Sequence, residues 1–259
     1  MNEEFLLFAL IGFAAQLVDG ALGMAYGVVA STMLLSFGAP PATASAAVHA
    51  AKVFTTAASA GSHILHKNVN WLLFALLGLG GIIGGAAGTY FVTSIDGDLI
   101  EPYIMIYLAL MGVIILWRAI KGFKPRKPSM KVPFPLGLVG GFVDAVGGGG
   151  WGPTVTSTLV GSGTSAREAV GTVNTAEFVV ACAISGAFVW AILSGHWTDV
   201  EGLRRYAWSV GGLIVGGVIA APMAAWITRI LPVRLLTWIV GLLIIALSGY
   251  QAARMFKLF

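Results

Sequence analysis

Six side chains that can carry charge, protons or paired hydrogen bonds lie inside strongly apolar sequence: Asp19, His49, Lys52, Asp144, Asn174 and Glu177. A carboxylate at membrane depth is costly enough to be a functional candidate by default, and its natural chemistry there is proton or cation coupling. Asp19 and Asp144 also stand just before glycine-rich stretches, where an aspartate caps a following half-helix by accepting backbone N–H bonds. Both readings hold at this stage. Lys52 and Glu177 can neutralise one another or meet a substrate. A lysine beside exposed helix N-termini makes a positive site, which favours an anion.

Other chemistries find no pattern. Cys182 is the sole cysteine, and clustered Cys, His and carboxylate ligands are lacking, so no metal site is expected. Gly147, Gly149 and Gly152 match the dinucleotide glycine spacing, but no strand or βαβ unit surrounds them, and no P-loop lysine is present. No cofactor, ATP-driven step or enzymatic nucleophile is expected. His49 is placed in a cavity, whereas His63, with His66 and Lys67, belongs at an interface.

The elements that must position these residues are duplicated. Asp19-Gly-Ala-Leu-Gly-Met-Ala-Tyr-Gly27 returns as Asp144-Ala-Val-Gly-Gly-Gly-Gly-Trp-Gly152, and the interval of 125 residues (144 − 19) holds from 19 to 144 and from 61 to 186. At that offset Gly12, Val18, Asp19, Gly23, Gly27, Leu34, Gly38, Val48 and Gly61 all meet an identical residue. Glycines inside an apolar helix cost about 1 kcal/mol each, so each stretch is read as an open joint between two half-helices. Paired interruptions in two halves are where secondary transporters place their substrate site.

Composition puts the chain in lipid. Its residues are 58% hydrophobic and 10% charged, with a mean hydropathy of +0.89; a soluble surface normally needs about 25% charged residues. The net charge of +4 comes mainly from Arg118, Lys121, Lys124, Arg126, Lys127 and Lys131. That cluster reads as a cytoplasmic loop under the positive-inside rule rather than as a nucleic-acid surface. Glutamates stand where a signal peptide carries basic residues, so the first helix is expected to be retained.

At about 20 residues per crossing, apolar segments are expected near Phe5–Phe37, Thr43–Leu65, Trp71–Ile95 and Pro102–Ile120. The series repeats near Phe134–Gly161, Ala166–Leu193, Tyr206–Ile230 and Val233–Met255. The expected fold is all-α: a polytopic membrane protein with a first transmembrane repeat over 1–120, a basic cytoplasmic linker over 121–135 and a second repeat over 136–259. The first segment of each half either continues across the bilayer or folds back as a re-entrant hairpin. Charge counting favours the hairpin and inverted repeats. Ser45, His49, Lys52, Thr56, Ser59 and His63 recur at spacings of four and three, which aligns them on one helical face. Asn174 and Glu177 stand at the matching positions of the second half. Trp71, Trp117, Trp197 and Trp208 read as interface anchors, and the glycines of 78–88 and 211–217 as surfaces for close helix packing.

The joints carry a family resemblance. Gln16-Leu-Val-Asp19-Gly-Ala-Leu-Gly23-Met-Ala-Tyr-Gly27, Gly140-Gly-Phe-Val-Asp144 with its glycine run, and the two-half layout make the chain similar to the TauE/SafE family of sulfite exporters and related permeases. The resemblance implies a multi-pass protein of the cell (inner) membrane, with its pathway between the repeats, moving sulfite, sulfonates or other small organic anions, often outwards.

The expectation is a secondary transporter working by alternating access, coupled to protons through Asp19, Asp144, Glu177 or His49. An anion channel and a cation or metal transporter are the alternatives. The substrate site is expected to comprise Asp19, Gly20, Gly23, Tyr26, Gly27, Ser31, Thr32, His49, Lys52, Asp144, Gly148, Gly149, Gly150, Trp151, Thr156, Ser157, Asn174 and Glu177, with Thr158 as a further hydroxyl. Its partners are a small anion, the lipid bilayer and, compatibly, a second copy in a homodimer; nucleic acid is not among them.

Overall fold

A computed structural model describes residues 2–121, 132–162 and 164–230, together with 238, 242–247, 249–250 and 253. Most of the basic linker and of the last apolar segment lies outside these residues. Among the described residues the chain is all-helical, with no strand.

In chain order the helices are α1 (Asn2–Leu22), α2 (Tyr26–Ser36), α3 (Pro41–Leu65), α4 (Trp71–Ser94) and α5 (Gly97–Lys121). The second half runs through α6 (Pro133–Gly147), a π-helical turn (Gly152–Thr156), α7 (Ser157–Ser162), α8 (Ala166–Leu193), α9 (Val200–Arg205) and α10 (Ala207–Ile230). Local chemistry sets several starts. Pro41 opens α3, where its missing N–H costs nothing. The Asn70 side chain accepts from Leu72 N and Leu73 N to cap α4, and Ser165 caps α8 through Glu168 N. Pro102 falls within α5, because that helix begins at Gly97, five residues before the expected segment.

Within α4, α5 and α8, Trp71–Ser94, Gly97–Trp117 and Arg167–Leu193 are long and apolar enough to cross a membrane. At 1.5 Å per residue, 24 residues of α4 span about 36 Å, more than a hydrocarbon core of about 30 Å. The 11 residues of α2 and 15 of α6 reach only part of the way.

The first segment of each half doubles back. Phe8 near the start of α1 meets Phe37 just past α2 edge to face, with ring centroids 5.3 Å apart, so α1 and α2 form a hairpin around the joint. In the second half the Val155 side chain lies against Gly140, the two residues standing seven after and eight before Gly148 at the turn. The two hairpins exchange neighbours: α1 packs most extensively against α10, and α6 against α4. Glycines permit this closeness. Gly80, Gly84 and Gly88 of α4 face the α6 backbone at Phe134, Leu138 and Phe142, and Gly212 and Gly216 of α10 face α1 at Phe5 and Ala9.

Helices α3 and α8 form the central pair and run antiparallel. Thr43 at the start of α3 donates to Asp199 Oδ2, beyond the end of α8, at 2.5 Å. At the other end Asn70, beyond α3, donates from its backbone N to Thr172 Oγ1 (2.9 Å) and from Nδ2 to Glu168 Oε1 (2.7 Å). A polar recess opens at each end of this pair. One of about 500 Å³ is lined by His66–Asn70, Ser165, Arg167 and Glu168. The other, of about 540 Å³, is lined by Gly38, Pro40 and residues of the Asp199–Tyr206 stretch.

Candidate functional site

Each joint is built on the same backbone device. Gly23 and Gly148 take φ of +65° and +69°, the left-handed region that glycine enters without a Cβ clash. The aspartate four residues earlier then reaches over the break. Asp19 Oδ1 accepts from Tyr26 N at 3.2 Å, and the equivalent Asp144 Oδ1 accepts from Gly150 N at 2.8 Å and Trp151 N at 3.1 Å. Both aspartates are therefore caps. The half-helix N-termini expected to be open to an anion are held by the protein's own carboxylates, because unpaired N–H groups at a buried helix start must find a partner.

The joints also lock into each other. A Cβ on Gly27 would strike Gly148 O and the Gly149 Cα, and one on Gly152 would strike Gly23 O and the Met24 Cα. Thr156 Oγ1 donates to Gly23 O at 2.7 Å, and its repeat-mate Ser31 lies against Gly148. The interruptions thus meet directly, backbone on backbone. The joints, read from sequence as open, are closed on one another here, because glycines on both sides let main chains approach.

Charge converges at this contact. Lys52 Nζ, on α3, lies 3.0 and 2.7 Å from the two Asp144 oxygens and 2.7 Å from Glu177 Oε1 of α8. His49 Nε2 lies 3.1 Å from Asp144 Oδ2, while its Nδ1 is 2.8 Å from Ser45 O, one turn back. All four side chains are buried. Lys52 is thus no free cation. Asp144 and Glu177 bond the ammonium directly and Asp19 lies within electrostatic range of it, so the positive site expected at Lys52 is replaced by an ion cluster with a surplus of negative groups.

The other expected residues divide. The polar stripe of α3 is confirmed as buried from Ser45 through Ser59, with His63 only half-buried. Tyr26 and Trp151 occupy equivalent places but line no open cavity. Each is a packed aromatic with a satisfied polar atom, Tyr26 OH donating to Leu213 O at 3.0 Å and Trp151 Nε1 to Val173 O at 3.2 Å. Their rings fill the space left by Gly217 of α10 and Gly81 of α4. Thr32 Oγ1 is turned back onto Val28 O at 2.6 Å, Ser157 is buried, and Gly20 is half-buried beside Asp19. Thr158 is exposed and bonds Thr154 O, so it stands apart from the cluster. Asn174 is fully buried, with neither amide atom partnered. Trp71, Trp117 and Trp208 are exposed as anchors should be, but Trp197 is buried against Phe188.

Two residues escaped the sequence reading. Tyr107 of α5 donates to Gly149 O at 2.9 Å and so fixes the second joint from outside the repeat motif. Gln16, fully buried one turn before Asp19, has both side-chain polar atoms without a partner. Its amide in an apolar helix was a usable signal; a tyrosine in an apolar span was not.

Apolar helices of spanning length, packed around two interlocked broken helices and a buried ion cluster, define a helical membrane protein of the transporter class. The family model described as sulfite exporter TauE/SafE matches residues 8–251, and the chain belongs to that family. It is 43% identical over 254 residues to the probable membrane transporter protein YtnM of Bacillus subtilis (strain 168), an alignment covering 95% of this chain and 82% of that relative. The protein is accordingly a membrane transporter. No solved structure gives a significant match.

Proposed function

We propose that the protein is a secondary transporter that exports a small sulfur-containing or organic anion, such as sulfite or a sulfonate, across the inner cell membrane. The observation that carries this reading is the reciprocal contact of the two joints around Lys52, the one ammonium group in a buried cluster of otherwise acidic and polar side chains. Sites of this kind sit where two repeats meet near the bilayer midplane. The antiparallel course of α3 and α8, which occupy equivalent positions in the two halves, supports inverted repeats. The recesses at opposite ends of that pair are then the two mouths of an alternating-access pathway, each sealed from the other by the closed joints. Proton coupling follows from the charge count, since three carboxylates facing one lysine are best balanced by bound protons.

The test is uptake into proteoliposomes of sulfite, sulfoacetate, thiosulfate and sulfate, with and without a pH gradient. Saturable counterflow of at least one anion is the expected result, and a conductance that does not saturate would point to a channel. The same surplus of carboxylates favours a second reading, transport of a cation. Thermal stabilisation across a panel of anions and cations separates the two.

A further inference from the structure

The two acidic partners of Lys52 are held very differently. Asp144 accepts from Lys52 Nζ through both oxygens, meets His49 Nε2, and accepts from Gly150 N and Trp151 N. Among the described residues Glu177 is held by Lys52 alone, through Oε1, while its Oε2 is buried and unpartnered. Three more buried side chains without partners stand within one helical turn of the cluster. Asn174 precedes Glu177 by one turn, Gln16 precedes Asp19 by one turn, and Ser31 follows Gly27, whose added Cβ would lie 3.4 Å from Lys52 Nζ. Native proteins rarely leave buried polar atoms unpaired. Here two amides and a hydroxyl, all hydrogen-bond donors, stand unpartnered on the helices that build the joints, where one contact alone retains the Glu177 carboxylate.

We infer that the Glu177 carboxylate is the protein's own occupant of the substrate position, displaced from Lys52 by an incoming oxyanion and taking up one proton as it leaves. This rests on the anion-transport reading above. A carboxylate and a sulfonate or sulfite present the same charged, acceptor-only oxygens, so Lys52 serves either. The donors of Gln16, Ser31 and Asn174 then complete the oxyanion's shell. The anion brings its charge to Lys52, and the proton taken up by Glu177 offsets one unit of it. The charged groups facing Glu177 are Lys52 from α3, Asp19 from α1 and Asp144 from α6, and the titratable His49 of α3 meets Asp144 on the other side of the cluster. From α4 the neighbours of α8 are the glycines Gly81 and Gly85. Asp19 keeps Tyr26 N and Asp144 keeps its own bonds, so Glu177 is the group whose pairing the exchange breaks.

The experiment is calorimetric titration of the purified full chain with sulfoacetate and thiosulfate, which stay ionised near neutral pH, in two buffers of different ionisation enthalpy. Wild type is expected to take up about one proton per anion. Glu177→Gln is expected to take up none and to bind about tenfold tighter, because a tethered competitor has been removed. In proteoliposomes it should lose anion-driven proton movement. Glu177→Asp keeps an ionisable group and should keep the proton, which guards against a misfolded glutamine variant. Proton uptake that persists in Glu177→Gln, or anion binding by wild type without any proton, would overturn the inference while leaving transport intact. If wild type neither binds nor moves any of the four anions, the transport reading itself fails and this inference with it.

Discussion

At the first joint Asp19 accepts one backbone N–H, from Tyr26, whereas at the second the equivalent Asp144 accepts two and also meets Lys52 and His49. The difference lies in the helix each joint faces. Lys52 and His49 of α3 serve the second joint; their repeat-mates on α8 are Glu177 and Asn174, which bring the first joint no cation. The unpartnered atoms of Gln16, Asn174 and Glu177 belong to α1 and α8. One joint is thus a satisfied anchor and the other keeps its valences open, although both share a left-handed glycine and a capping aspartate. Backbone geometry is set by the motif, and chemistry by the neighbour.

That contrast can be broken most severely at Asp144. Asp144→Asn leaves Lys52 with half its compensation in a dry interior, and a loss of about 3–5 kcal/mol is expected. It should appear as a large drop in thermal midpoint in detergent and abolished uptake. A variant with wild-type stability would show that the second joint is no anchor. Next, Gly149→Ala drives a methyl into the backbone of Gly27 and Val28 and should cost about 1–3 kcal/mol through overpacking, with transport lost because the joints can no longer close. Asp19→Asn keeps an acceptor for Tyr26 N and breaks no direct ion pair with Lys52. Its expected cost is about 1 kcal/mol, and a cost equal to that of Asp144→Asn would erase the asymmetry. The smallest effect sharpens the comparison. Ala25 sits at φ 130°, where the second joint has Gly150; Ala25→Gly relieves that strain and should stabilise the chain by about 1 kcal/mol, read as a raised thermal midpoint with unchanged counterflow.

Much of this was legible in the chain itself. The constant interval located both joints, the glycine and aspartate content explained their break and cap, and the three- and four-residue spacing placed Ser45 to Ser59 on one buried face. Segment ends followed the prolines, caps and apolar runs closely; Ala166–Leu193 is α8 to the residue. The partner of Lys52 was less accessible. Pairing with Glu177 was one of two readings, and the bidentate contact with Asp144, 92 positions away, left no local trace. Tyr107 reached the second joint from an apolar span for the same reason.

What the linear chain determined by itself is the class of solvent, the helical elements and the two breaks, because hydropathy, periodicity and glycine's φ freedom are properties of neighbouring residues. Only the tertiary structure decided that the hairpins exchange partners, that the joints close on one another, and that the lysine meets carboxylates rather than open space. Those outcomes depend on which helix faces which, and in a low-dielectric interior a charge takes whatever partner the packing brings within about 3 Å.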